Sequence, residues 1–201
     1  LTLDIQIASK LGAVFQGDAR YRVAYGGRGS SKSWGFAEMA LARAVQRKNR
    51  ILCTRELQKS IKDSSHKLLV DTIIRLNIGA HFEIGESFIR CPTNGSDFIF
   101  KGLKYNPDEI KSTEGIDIAW CEEAHRLTKR GDELLVPTVR QDGSEIWYTF
   151  NPDDEFDHVY QKFVTNTPPP NTKICEINWQ DNPWFPKVLE EERKFMLVVN
   201  R

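Results

Sequence analysis

The spacing of apolar residues switches repeatedly between a helical period and short runs that suit a buried strand. LTLDIQIASKLGAVFQG opens the chain with apolar positions at a rough helical spacing and stops at Gly17, which predicts a short helix and a turn. RVAY at 22–25 predicts a strand running into a glycine-rich stretch, and the alanine- and leucine-rich SKSWGFAEMALARAVQRK predicts a helix behind it. RILCT at 50–54 predicts a second strand. In ELQKSIKDSSHKLLVDTIIRL, Ile61, Leu68, Leu69, Thr72, Ile73 and Leu76 recur at helical spacing. From 82 to 101 the period falls to two, and Asn94-Gly95 inside PTNGS is a hairpin-turn signal between HFEIGESFIRC and DFIFKGL. GIDIAWCEEA and SEIWYTFNP predict two more strands, with a short helix in RGDELLVPTVRQDG between them. NPDDEFDHVYQKFV predicts a helix from Asp154, TPPPN a surface loop, KICEINW a last strand, and the tail a helix starting near Pro186.

Strands alternating with helices predict an α/β fold: a largely parallel central sheet flanked by helices, with an antiparallel hairpin at an edge. Ligands of such sheets sit at the carboxyl ends of the strands, where every motif described below falls. On this reading residues 1–177 form the core and residues 178–201 a lid or linker segment.

Composition narrows the class. A chain of 201 residues, 28 % charged and 40 % hydrophobic, has the profile of one ordinary globular domain. No apolar run approaches the roughly 18–20 residues that span a bilayer and no signal peptide opens the chain, which points to the cytosol. Leu1 in place of an initiator methionine suggests a trimmed or processed chain. Cys53, Cys91, Cys121 and Cys175 form no C-x-x-C pair and are read as reduced packing residues. Lys plus Arg equals Asp plus Glu at 28 each, so any nucleic-acid contact must come from a local patch.

The chemistry begins at GGRGSSKS, Gly26 to Ser33, which satisfies G-x-x-x-x-G-K-[ST] at every fixed position except the second glycine, where the chain has Ser31. Consecutive N–H groups of such a loop, with the amino end of the following helix, suit phosphate oxygens. Lys32 then reaches the β- and γ-phosphates and Ser33 offers its hydroxyl to Mg2+. A serine for glycine costs on the order of 1 kcal/mol if that position needs a glycine conformation, and little if its backbone is ordinary. IDIAWCEE ends an apolar strand in Glu122 and Glu123, the first suited to a metal's water shell and the second to activating water. Neighbouring strand residues point oppositely, so the chain must begin to turn at Glu123 for both to serve one site. TFNP places Asn151 at a further strand end, where an amide can bond a γ-phosphate or the attacking water. Arg28 inside the loop can meet the terminal phosphate.

GGRGSSKS, RELQKSIKDS, FKGLKYNPDEIKSTEGIDIAWCEEA and EIWYTFNP, in this order, resemble the ATPase half of the large terminase subunit, the DNA-packaging motor of tailed bacteriophages. The resemblance runs from about residue 20 to residue 190. It implies a P-loop NTPase of the ASCE, RecA-like type, with the catalytic glutamate on a strand next to the phosphate-loop strand. It implies Mg2+-dependent ATP hydrolysis that moves double-stranded viral DNA into a procapsid in the cytoplasm of the infected bacterium. ATP is then held by Gly26, Gly27, Arg28, Gly29, Ser30, Ser31, Lys32 and Ser33, and Mg2+ by Ser33 and Glu122. Glu123 is the catalytic base, Arg28 a phosphate sensor or finger, and Thr149 to Asn151 the coupling segment, with Asn151 in a catalytic role. Arg55 and Gln58 are candidates for linking nucleotide state to DNA or a neighbouring subunit. The implied partners are DNA held by its phosphates without sequence readout, the portal protein, the small terminase subunit, and further copies of the chain in a ring on the procapsid. Lys59, Lys62, Lys67 and Lys111 are candidate DNA contacts. The family's nuclease domain finds no room after residue 201, so no nuclease activity is expected of this chain. A helicase-like DNA-dependent ATPase and a P-loop small-molecule kinase share the loop and remain alternative readings.

Overall fold

A computed structural model describes residues 3–56, 62–104 and 110–199. Its strands are β1 (Tyr21–Tyr25), β2 (Arg50–Arg55), β3 (Glu83–Ile84), β4 (Phe88–Cys91), β5 (Ser96–Gly102), β6 (Ile118–Glu122), β7 (Glu145–Phe150) and β8 (Thr172–Glu176). They form one sheet in the order β3-β4-β5-β2-β6-β7-β1-β8. From β5 to β8 all pairings are parallel, while β3, β4 and β5 form the antiparallel edge expected around Asn94-Gly95.

One expectation about the sheet is corrected. The strand carrying the two acids is not next to the strand that feeds the glycine loop, because β7 lies between them and pairs with both. The reason is burial on both faces. Every residue of EIWYTF is buried, whereas β8 buries none of its five residues fully. A strand covered on both faces belongs inside a parallel sheet and one that is half covered belongs at its edge.

Two layers of side chains cover the sheet. On one face α1 (Ser9–Val14), α2 (Lys32–Gln46) and α3 (Lys67–Arg75) bury Leu11, Phe36, Leu41, Leu69 and Ile73 against Ile51, Trp120 and Trp147. On the other, α4 (Lys129–Thr138) and α5 (His158–Tyr160), which widens into a π-helical turn at Gln161–Thr165, pack Leu135, Val159 and Phe163 against Leu52, Ile146 and Tyr148. The last helix, α6 (Lys187–Val199), buries no residue. Three of the four cysteines are buried and all four are free, and burial pushes the Cys53 and Cys121 thiols well up.

Two helices are shorter than their patterns. The opening helix forms only over Ser9–Val14, because the chain before it runs beside α2, where the Gln6 N–H donates to Glu38 Oε2. The helix expected from Asp154 begins at His158. Asp154 accepts from the Phe156 N–H at 2.9 Å, and Asp157 accepts from the Asp154 N–H at 3.1 Å. These local side-chain bonds compete with the helical ladder. Residues 57–61 of the second predicted helix lie outside the described residues, and the remainder forms a π-helical turn at Lys62–His66 followed by α3.

Candidate active site

At the carboxyl ends of β1, β6 and β7 lies a cavity of about 1280 Å³ whose wall contains Gly26 to Ser33, Glu122, Glu123, Thr149 and Asn151. β1 ends at Tyr25, and the loop that follows turns into α2 at Lys32. The Gly26 N–H donates to the Phe150 carbonyl at 3.2 Å, so the loop's first residue is tied to the end of β7.

Ser31, the departure from the general loop pattern, has φ 62° and ψ 8°. This is the left-handed region in which a side chain costs roughly 1 kcal/mol relative to glycine, so the backbone there is not ordinary. Among the described residues its buried Oγ has no hydrogen-bond partner. A buried hydroxyl left unsatisfied in a loop wall is a donor awaiting an acceptor.

Lys32 fills the concavity of the loop. Its Nζ donates to the Gly26 carbonyl at 3.1 Å, the Gly27 carbonyl at 3.0 Å and Ser30 Oγ at 3.2 Å. Burial lowers its pKa to about 8, and the nearby Glu122 charge pulls the other way. Arg28 is exposed at the rim and makes no side-chain hydrogen bond or ion pair among the described residues.

The two acids are brought together by backbone conformation. Glu122 is the last residue of β6, and Glu123 adopts φ 52° and ψ 42°, which ends the alternation of the strand and lets both side chains face the cavity. Arg55, at the end of the neighbouring β2, lies between them. Its Nη2 is 2.5 Å from Glu122 Oε2 and 2.9 Å from Glu123 Oε1, and its Nε donates to Glu122 Oε2 at 2.8 Å. The guanidinium offsets the repulsion of adjacent carboxylates. Ser65 Oγ stands 3.4 Å from the same Glu122 oxygen. On β7, Thr149 Oγ1 accepts from Trp120 Nε1 of β6 at 3.0 Å, which fixes the strand end from which Asn151 follows.

Several residues of the cavity wall escape sequence reasoning. Trp34 lies beneath the Arg75 guanidinium at 5.0 Å, and Arg75 is ion-paired with Glu38. Only the spacing of Trp34 and Glu38, four apart on one helix, hinted at a shared face. His125 and Arg126 follow the acids into the wall, with Arg126 Nε donating to His125 Nε2 at 3.3 Å, and burial holds the His125 pKa below its usual value. Asn178 and Asn182 bond the loop itself. Their sequence signal was the Asn178 to Asp181 capping box ahead of Pro183. Of the other candidates, Gln58 and Lys59 lie outside the described residues, as does the side chain of Lys62. Lys67 pairs with Asp71 at 2.6 Å on the exposed face of α3, and neither it nor Lys111 lines the cavity.

A glycine loop between a strand and a helix, a lysine and a serine in the first turn of that helix, and acids two strands away define a P-loop NTPase-like fold. The particular family follows from comparison: the model of the phage terminase large subunit family matches residues 18–195, and the chain belongs to that family. It is 28 % identical over 153 residues to the PBSX phage terminase large subunit of Bacillus subtilis (strain 168), covering 75 % of this chain and 35 % of that protein. Among solved structures, the large terminase from a thermophilic bacteriophage superposes with a TM-score of 0.79 at 12 % identity, over 94 % of this chain and 50 % of that one. The large terminase ATPase domain of Thermus phage P74-26 gives a TM-score of 0.73 at 15 % identity, over 96 % of this chain and 86 % of that one. The chain thus spans about a third of the curated relative and half of the first of these solved terminases.

Proposed function

We propose that this chain is the ATP-hydrolysing unit of a DNA-packaging motor. The observation that carries the reading is that Lys32, Ser33, Glu122, Glu123 and Asn151, drawn from three strand ends, line one cavity. A structure of the same thermophilic phage's large terminase in complex with ADP is among the similar folds, with a TM-score of 0.76. A triphosphate entering the loop gives the Lys32 ammonium better acceptors than the carbonyls it now holds, and the Ser31 hydroxyl the acceptor it lacks. Ser33 and Glu122 supply hard oxygen donors of the kind magnesium prefers. When bound, magnesium neutralises charge on the β- and γ-phosphate oxygens. Glu123 takes the proton of the attacking water, and Arg55 sets its orientation through the shared ion pair. Arg28, exposed at the rim, is a candidate to meet the terminal phosphate, as is an arginine of a neighbouring copy. Asn151 reports the γ-phosphate to the segment after β7 and, through the Gly26–Phe150 bond, to the loop.

In the full reading, hydrolysis drives double-stranded DNA into a procapsid in the cytoplasm of the infected bacterium. The motor acts as a ring of copies with the portal protein and the small terminase subunit. Residues 1–177 form the motor core and 178–201 a lid or linker. The test is ATP hydrolysis by the purified chain, with and without double-stranded DNA, beside Glu123→Ala and Lys32→Ala. Glu123→Ala is expected to keep ATP affinity within a few fold and to lose turnover by about 10²-fold or more. Lys32→Ala is expected to lose triphosphate binding. Unchanged turnover in Glu123→Ala removes the base assignment, and phosphoryl transfer to a small acceptor without hydrolysis removes the motor reading.

A further inference from the structure

The glycines of GGRG are usually read as room for a ligand, yet here two of them face protein. A Cβ on Gly26 would lie 2.1 Å from the Ile177 carbonyl oxygen, and one on Gly29 would lie 2.5 Å from the Phe185 ring. Both obstacles belong to the segment that follows β8. The same segment bonds the loop at two further points. Asn178 Oδ1 accepts from the Gly27 N–H at 2.7 Å, and Asn182 Nδ2 donates to the Gly29 carbonyl at 2.6 Å.

The strap is itself firmly held. The Asn178 N–H donates to Asp181 Oδ2 at 2.9 Å, and Asp181 pairs with Lys10 of α1 at 2.9 Å. Asn182 Oδ1 accepts from the Trp184 N–H at 2.9 Å, which closes the turn on the far side of the loop contact. Trp179 in the strap lies 5.5 Å from Phe185 and 4.2 Å beneath the Arg193 guanidinium of α6. A continuous run of contacts therefore leads from the loop's backbone to the last helix.

We infer that Asn178 and Asn182 are positioning residues that set the shape of the phosphate loop and make the strap follow nucleotide occupancy. The inference rests on the proposed ATPase reading for its ligand, and on geometry alone for its mechanical part. One loop amide, Gly27 N–H, is held by Asn178 rather than left for phosphate, so the loop's curvature is fixed by the strap side of the cavity wall. A ligand that draws Lys32 off the Gly26 and Gly27 carbonyls pulls on the backbone that the strap holds.

Amide hydrogen exchange of the ligand-free chain tests the mechanical part. Asn178→Ala is expected to speed exchange at Gly27 by about fivefold, with the neighbouring loop amides following. Asn178 Nδ2 also donates to Glu176 Oε1 at 3.0 Å. Asn178→Asp combined with Glu176→Gln therefore keeps the acceptor without setting two carboxylates together and is expected to restore protection, and Asn182→Ala to loosen Gly29 and Ser30 with Gly27 still held. If loop exchange is the same in wild type, Asn178→Ala and Asn182→Ala, the inference is wrong whatever the chain hydrolyses. With ATP, each alanine variant is expected to raise KM by about tenfold while kcat changes less than about twofold. A fall in kcat at unchanged KM would overturn the positioning role. A wild-type chain without turnover would instead defeat the ATPase reading, leaving the exchange arm to decide the strap.

Discussion

Lys32 is the residue at which burial and function conflict. Its ammonium is taken from water and given only neutral oxygen partners, and burial brings its pKa down from 10.5 to about 8 against the opposing pull of Glu122. A pKa lowered on folding means that the folded chain holds fewer protons than the unfolded one between pH 8 and 10.5, so this group's penalty is complete below about pH 8 and fades as pH rises towards 10.5. A bound polyphosphate stabilises the ammonium and raises that pKa again, which makes binding depend on the proton. Affinity for a non-hydrolysable ATP analogue is expected to be flat below pH 8 and then to fall by up to about tenfold per pH unit above it. Titration calorimetry across pH 7 to 9.5 measures this, and Lys32→Arg, whose guanidinium keeps its proton, is expected to remove the slope. A slope equal in both chains would show that another group titrates.

Elements were more legible than their arrangement. RVAY, RILCT, GIDIAWCEE and SEIWYTFNP announced parallel strands because each is an apolar run ended by polar residues, and Asn94-Gly95 announced the edge hairpin. The insertion of β7 between β1 and β6 was not legible, since its pairing with β1 joins residues more than a hundred apart, such as Tyr21 and Ile146. The left-handed backbones at Ser31 and Glu123 were likewise invisible, although the need for a turn at Glu123 followed from strand alternation. The resemblance offered Arg55 as a link from nucleotide state to DNA or a neighbouring subunit, but its hold on both acids requires β2 and β6 to be neighbours. A second tie of this long-range kind joins α4, α5 and β7. Asp132 accepts from Tyr148 Oη at 2.6 Å, His158 Nε2 at 2.9 Å and Lys162 Nζ at 2.6 Å. Burial pushes its carboxyl up, and the bonds from His158, Lys162 and Tyr148 more than offset this to hold it below the usual range. Removing one member of a buried charged network leaves the others unpaired at about 3–5 kcal/mol. Asp132→Ala is expected to lose that much stability in urea unfolding, and a loss under about 1 kcal/mol would show that the three elements are held by apolar packing alone.

At the scale of the molecule, the sheet and its two covering layers hold the stability, and α6 stands outside that account. None of its residues is buried, and Phe195, Met196, Leu197, Val198 and Val199 are all more than half exposed. A 13-residue helix with no packed face is marginal in water, so α6 owes its place to the Pro186 carbonyl at its start and to Arg193 over Trp179. The cation–π contact is worth about 0.5–1 kcal/mol at an exposed site. At about 2–4 °C per kcal/mol for a chain of this size, a version ending at Pro186 is expected to melt no more than about 4 °C below the full chain. The same version loses the exposed apolar residues of α6 and is expected to self-associate less, which light scattering at rising concentration reads directly. A drop in melting temperature well beyond about 4 °C, about what the loss of Asp132 should cause, would place α6 inside the cooperative core and require a packing surface for its apolar residues.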